Sequence, residues 1–160
     1  MKGVLTAVPV LVISAVGIGQ ERMPVEGTLS PIGGPVEAPV RVAAGPACVV
    51  DLTQRYTVAG GLSGRMEIDY RILVHGSCNS PAGTFAEEWI AHGTFVGTLK
   101  DDSVSGTFVY TAEVRNQGEV QGRMVFGSGL EGVLTVHGRF SDGSLAYSGA
   151  VEPKRGIRSR

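Results

Sequence analysis

The sequence predicts an all-β protein: an antiparallel up-and-down meander of seven or eight strands closed into a barrel. Three observations carry this. From Cys48 to Glu152 apolar and polar residues alternate with a period of two, segment after segment. Short glycine-bearing turns separate the segments. Glycine is also frequent on the apolar faces, 24 of 160 residues in all, which suits a strongly curved sheet. The chain is 42% hydrophobic and 18% charged, with a net charge of −1. That length predicts one folded domain. The near-zero charge argues against a nucleic-acid partner, and the glycines lack the period of three that collagen requires.

The chain opens on a targeting pattern. Lys2 precedes an uncharged run from Gly3 to Gln20, and small residues follow its apolar core. Residues 1–19 therefore read as a secretory signal peptide, with cleavage after Gly17 or Gly19. The alternative is a retained membrane anchor, for which the run is short and interrupted by Pro9. Residues 20–47 hold Pro24, Pro31, Pro35, Pro39 and Pro46 and read as a Pro/Gly-rich tether, with at most an edge strand at 36–42. The barrel domain is expected over 48–152, and 153–160 as a solvated basic tail.

Within the barrel, the first strand sets Val50, Leu52, Gln54, Tyr56 and Val58 on one face, against Asp51, Thr53, Arg55 and Thr57. The second sets Met66, Ile68, Tyr70, Ile72 and Val74 inward. The third runs Phe85, Glu87, Trp89, Ala91, Gly93, Phe95, Gly97 and Leu99 along its inner face. The last four carry Phe108 to Val114, Val120 to Phe126, Leu134 to Phe140 and Leu145 to Val151. Seven strands leave two open edges, and closure removes them. An eighth strand is expected either from the tether or from a third strand bent at Gly93.

Export allows thiols to oxidise, so Cys48 and Cys78 are expected to form a disulfide. A bond straight across the first hairpin centres it on residue 63. It then pairs Leu52 with Val74, Tyr56 with Tyr70 and Val58 with Ile68. Arg55 would face Arg71, so a slip of two toward Asp69 is the alternative. The fourth hairpin is expected to set Arg115 beside Glu119, with Gly118 in the left-handed conformation of a three-residue loop. Gly97 is expected under Tyr110 and Gly138 under Tyr147.

The stretches GTFVG (93–97), GTFVYTAEV (106–114), VQGRMVFGSGLEGVLTVHGRF (120–140) and YSGAV (147–151) resemble bacterial exported barrels of the allene oxide cyclase-like and dirigent-like type. One branch of these consists of domains of unknown function with a similar G-S-G-x-x-G turn. The resemblance spans residues 84–151. It implies an eight-stranded antiparallel barrel with a small apolar cavity, often oligomeric. No catalytic residue of the plant cyclases matches a residue of this chain.

Glu87 is the one charged residue placed on an inward face, between Phe85 and Trp89. A carboxylate in that setting is a candidate general acid or base; the bland reading is a hydrogen-bonded or mouth-facing side chain. The expected registers align Gln54, Ile72 and Glu87 across three strands. Gln54, Tyr56, Tyr70, Trp89, Tyr110 and Tyr147 are candidate ligand-binding residues, able to grip a flat apolar molecule, or else a packed core. His75, His92 and His137 point outward without ligand spacing, so no metal is expected and no cofactor is called for. Gly127 to Gly132 matches G-x-G-x-x-G but lies between two strands and reads as a turn. The sequence thus predicts an exported, non-enzymatic barrel that binds a small apolar ligand or a partner surface, with homo-oligomers allowed. The alternative is a cyclase or isomerase that uses Glu87. A structural barrel with a solid core is the third class, and the cavity beside Trp89 and Glu87 discriminates among them.

Overall fold

The structure is a computed structural model and describes residues 21–154. The signal segment and the tail beyond Lys154 lie outside the described residues. Nine strands form one antiparallel sheet: β1 (Met23–Pro31), β2 (Val40–Ala44), β3 (Ala47–Gly60), β4 (Leu62–Val74), β5 (Glu87–Leu99), β6 (Asp102–Arg115), β7 (Glu119–Ser128), β8 (Leu130–Arg139) and β9 (Leu145–Pro153). A 3₁₀ turn, Phe140–Asp142, joins β8 to β9. Strands β3 to β9 pair in sequence order, and β1 bridges β9 to β3, which closes eight strands into a barrel. The ninth, β2, extends the wall beside the start of β3.

The eighth barrel strand comes from the tether, so the barrel domain begins near Met23 rather than at Cys48. Val25 and Leu29 are buried and their neighbours are exposed or half-buried, the alternation of a half-buried strand. Its prolines fit because β1 is an edge twice over. It pairs with β9 over Met23–Leu29 and with β3 over Gly27–Pro31. Pro24 therefore has a neighbour only on the β9 side and Pro31 only on the β3 side, so neither is asked for a hydrogen bond in both directions. Beyond Pro31 the chain stays on β3: Ile32 N–H donates to Arg55 O and Val36 N–H to Thr53 O, both at 2.8 Å, before β2 resumes the ladder.

The first hairpin closes tighter than expected. Leu52 pairs with Tyr70, Tyr56 with Met66 and Val58 with Gly64. Charge selects this register. Arg55 meets Glu67 at 2.7 Å and Arg71 meets Asp51 at 2.8 Å, where the expected register opposed two arginines. The disulfide forms all the same, with Cα atoms 5.0 Å apart, because Cys78 lies in the loop beyond β4 and folds back over Cys48. The fourth hairpin has the expected register: Arg115 faces Glu119 and Gly118 takes a φ of 73°, with Gln117 at 79° beside it.

Aromatic rings do lie over inward glycines, but over different ones. Gly97 faces Val104 and Gly138 faces Leu145. A side chain on Gly93 would strike the Phe108 ring, one on Gly122 the Tyr110 ring, and one on Gly27 the Tyr147 ring. Each glycine makes room for one large ring in a narrow barrel. The interior is packed: Phe95, Met66, Ile68, Met124, Leu134 and Val136 are all 0–1% exposed. Phe85 is the exception to the expected inner face. It lies outside β5, is 38% exposed and covers Gly76.

Candidate functional site

One mouth of the barrel carries most of the polar chemistry placed inside. There the loop 75–86 crosses from β4 to β5. His75 N–H donates to Ala86 O, the disulfide ties Cys78 to β3, and Gln117 N–H donates to Gly83 O. Glu87, the first residue of β5, points inward and is 5% exposed. One carboxylate oxygen accepts the Gly83 N–H at 3.0 Å, and the other accepts the Trp89 indole N–H at 2.8 Å. Glu87 therefore pins the loop to the aromatic core.

Behind Glu87 the rings form a column. Phe140, from the 3₁₀ turn, stacks on Trp89 with centroids 5.8 Å apart. Trp89 meets Tyr70 edge-on at 5.3 Å and Tyr110 at 6.2 Å. The Tyr56 and Tyr70 hydroxyls are 2.9 Å apart. Burial pushes the Tyr70 and Tyr110 phenols well up from their ordinary range, and Tyr56 more modestly. The Tyr110 hydroxyl is buried and has no hydrogen-bond partner among the described residues.

The structure thus brings Tyr56, Tyr70, Trp89 and Tyr110 together and joins Glu87 to them through the indole. Gln54 and Tyr147 stand apart. Gln54 faces Ile68, not Ile72 or Glu87, and its amide donates to Arg55 O at 2.9 Å. The expected Gln54–Ile72–Glu87 row does not form; Ile72 faces Val50 and Trp89, and Glu87 faces Val74 and Val114. Tyr147 accepts the Leu62 N–H at 2.9 Å and donates to carbonyls of the β3–β4 turn, a structural tie. His75 and His92 lie outside on the wall beside Glu88 and Asp69.

Between the loop and the start of β3 lies a pocket of about 80 Å³. Val50, Leu52, Ile72 and Val74 make its apolar wall, and the disulfide, Ser77, Ser80, Glu87 and Arg41 complete it. Trp89 does not line it. Sequence reasoning missed Arg41 and Phe140. Arg41 was hidden in the tether, although the alternation of β2 sets it on the inner side opposite Val50. Phe140 was read as a strand residue, and nothing local predicts its stack on Trp89. On the outer wall an open groove of about 660 Å³ runs past Val40, Asp51, Asp69, Arg71, Ile90 and Val109.

These features define a closed, filled antiparallel β-barrel with one mouth capped by a disulfide-tied loop. The bond itself is the chemistry of an oxidising compartment. No family model matches the chain, and no curated protein matches it. A solved structure does: a protein of unknown function from the DUF3224 family of Shewanella oneidensis MR-1. The two are 15% identical over 85% of this chain and 100% of that one, with a TM-score of 0.56. At that identity the similarity is one of fold. It supports the barrel fold and does not extend to the allene oxide cyclase-like type.

Proposed function

We propose that this protein is an exported, non-enzymatic β-barrel that binds a small, largely apolar ligand at its capped mouth. The observation that carries this is the 80 Å³ pocket walled by Val50, Leu52, Ile72 and Val74. Its size, well below the ~300 Å³ of sites for larger molecules, limits the ligand to a few heavy atoms, and the filled core beside Trp89 supports the structural barrel over any deeper ligand cavity. The alternative, acid–base catalysis by Glu87, has less support. Each Glu87 oxygen already accepts an N–H, which fixes the carboxylate as part of the mouth's structure. The test is a titration of the oxidised protein with ethanol and butan-1-ol, followed by methyl NMR. Shifts at Val50, Ile72 and Val74 are expected; shifts confined to the outer wall would overturn the reading.

The export half rests on Lys2 and the apolar run after it, together with the disulfide. N-terminal sequencing of the exported protein should begin near Ile18 or Gln20. An intact Met1 on that material would replace cleavage with a retained anchor. Binding of a partner surface is the second reading. Val109 faces Val125 on the outer wall, and Ile90 and Val40 flank the groove at 67% and 60% exposure.

A further inference from the structure

Two opposite charges line the mouth pocket, and neither has a counter-ion among the described residues. Glu87 forms no ion pair there, although it is 5% exposed. A carboxylate offers about four acceptor positions, and two are filled, by the N–H groups of Gly83 and Trp89. Removing such a charge from water is costly unless an opposite charge or further donors compensate. Arg41 stands across the pocket on β2. Among the described residues its one hydrogen bond is from Nη1 to Cys78 O at 3.5 Å, the outer limit of hydrogen bonding, and the rest of its five-donor fork has no partner there.

The two side chains line one pocket from different strands. Arg41 faces Val50 on β3, and Glu87 faces Val74 on β4, so two strands separate their own strands along the wall. With neighbouring strands ~4.8 Å apart, one methylene between two ligand charges is too short to reach both. The surface between them is apolar: Val50, Leu52, Ile72 and Val74. Arg41 is exposed and sits at the lip, whereas Glu87 is the buried end.

We propose that this pocket takes a small zwitterion with an apolar stem, an ω-amino acid, its ammonium on Glu87 and its carboxylate on Arg41. The proposal rests on the mouth pocket being a binding site and names the class of ligand. The pocket volume of about 80 Å³ equals roughly three waters, so it encloses only the ammonium end and the first carbons of the stem. The carboxylate end stays at the open lip.

The experiment is an NMR titration of the oxidised exported protein. The probes are glycine, β-alanine, 4-aminobutanoate and 5-aminopentanoate, with butylammonium, butanoate and butan-1-ol as single-ended controls. One of the longer zwitterions is expected to bind at least tenfold more tightly than butylammonium and butanoate, and glycine to bind least. Arg41→Gln, at an exposed position, should cost about tenfold for that zwitterion, a clearly larger loss than for uncharged butan-1-ol. Glu87→Gln, where it folds, should do the same from the other end. Equal binding of the single-ended ions, or an Arg41→Gln protein that binds the zwitterion unchanged, would overturn the proposal. Binding of butan-1-ol without any zwitterion would remove this inference and leave the pocket reading standing. Silence from every probe would remove both.

Discussion

The indole N–H of Trp89 donates to the carboxylate of Glu87 at 2.8 Å, from two residues along the same strand and the same face. A strand places such residues side by side, so the bond needs no help from the rest of the fold. The other oxygen of Glu87 reaches the loop at Gly83. Glu87→Ala strands both donors in a buried place. Hydrogen bonds to charged groups contribute about 1.5–3 kcal/mol each, so a loss of at least roughly 3 kcal/mol is expected in urea unfolding. Trp89 fluorescence should change with it. A variant as stable as the parent would show that Glu87 does not hold the loop.

The sequence displayed faces better than partners. A period of two says which residues point inward and is indifferent to a shift of the hairpin by an even number. Both the expected and the observed registers of β3 and β4 set apolar residues against apolar ones. What separates them is charge, Arg55 on Glu67 and Arg71 on Asp51, and that signal was present in the sequence. The β6–β7 register was readable because Gly118 leaves a three-residue loop few alternatives. Strand β1 was not readable, since Pro24 and Pro31 are compatible with a strand only once it is known to bridge β9 and β3 at different heights. The candidate site was half legible: Glu87 and Trp89 adjoin along one strand, but Arg41 and Phe140 arrive from distant segments.

The disulfide closes a loop of 30 residues between Cys48 and Cys78. On the chain-entropy model such a link is worth about 3–4 kcal/mol. The Cys48→Ala/Cys78→Ala protein should lose about that much in urea unfolding, and reduction of the parent should do the same. Mass spectrometry without reductant should find the parent two hydrogens lighter than its reduced form. Two titratable thiols per chain would refute the bond.

Two buried tyrosines should respond in opposite directions when their hydroxyls are removed. Tyr110 is 0% exposed and its hydroxyl has no partner among the described residues, so Tyr110→Phe should raise stability by about 1 kcal/mol. The Tyr147 hydroxyl bonds to Leu62 N–H and Leu62 O at 2.9 and 3.0 Å, so Tyr147→Phe should lower it by about 1–2 kcal/mol. Urea midpoints of the two variants, measured side by side, check both signs. A Tyr110→Phe protein that is clearly less stable would mean that the hydroxyl has a partner, for which an internal water is the natural choice.

The same phenols should set the alkaline limit of the fold. Burial raises all four tyrosines above their ordinary value, partly offset in Tyr147 by the Leu62 N–H bond. An unfolded phenol loses its proton near pH ~10. Above that pH the unfolded chain binds fewer protons than the folded one, so stability falls as pH rises. The contribution is fully present below the unfolded value and is lost as the pH climbs through the folded ones. Unfolding free energy should therefore be flat with respect to these groups up to about pH 9.5 and then decline. Each buried phenol adds at most ~1.4 kcal/mol per pH unit to the slope. Tyr110→Phe removes one such phenol and should make the decline shallower by up to that amount. Tyrosinate absorbance near 295 nm should rise together with the loss of structure rather than ahead of it. If the Tyr110→Phe slope equals the parent's, or tyrosinate forms in the intact fold near pH 10, burial does not govern these groups.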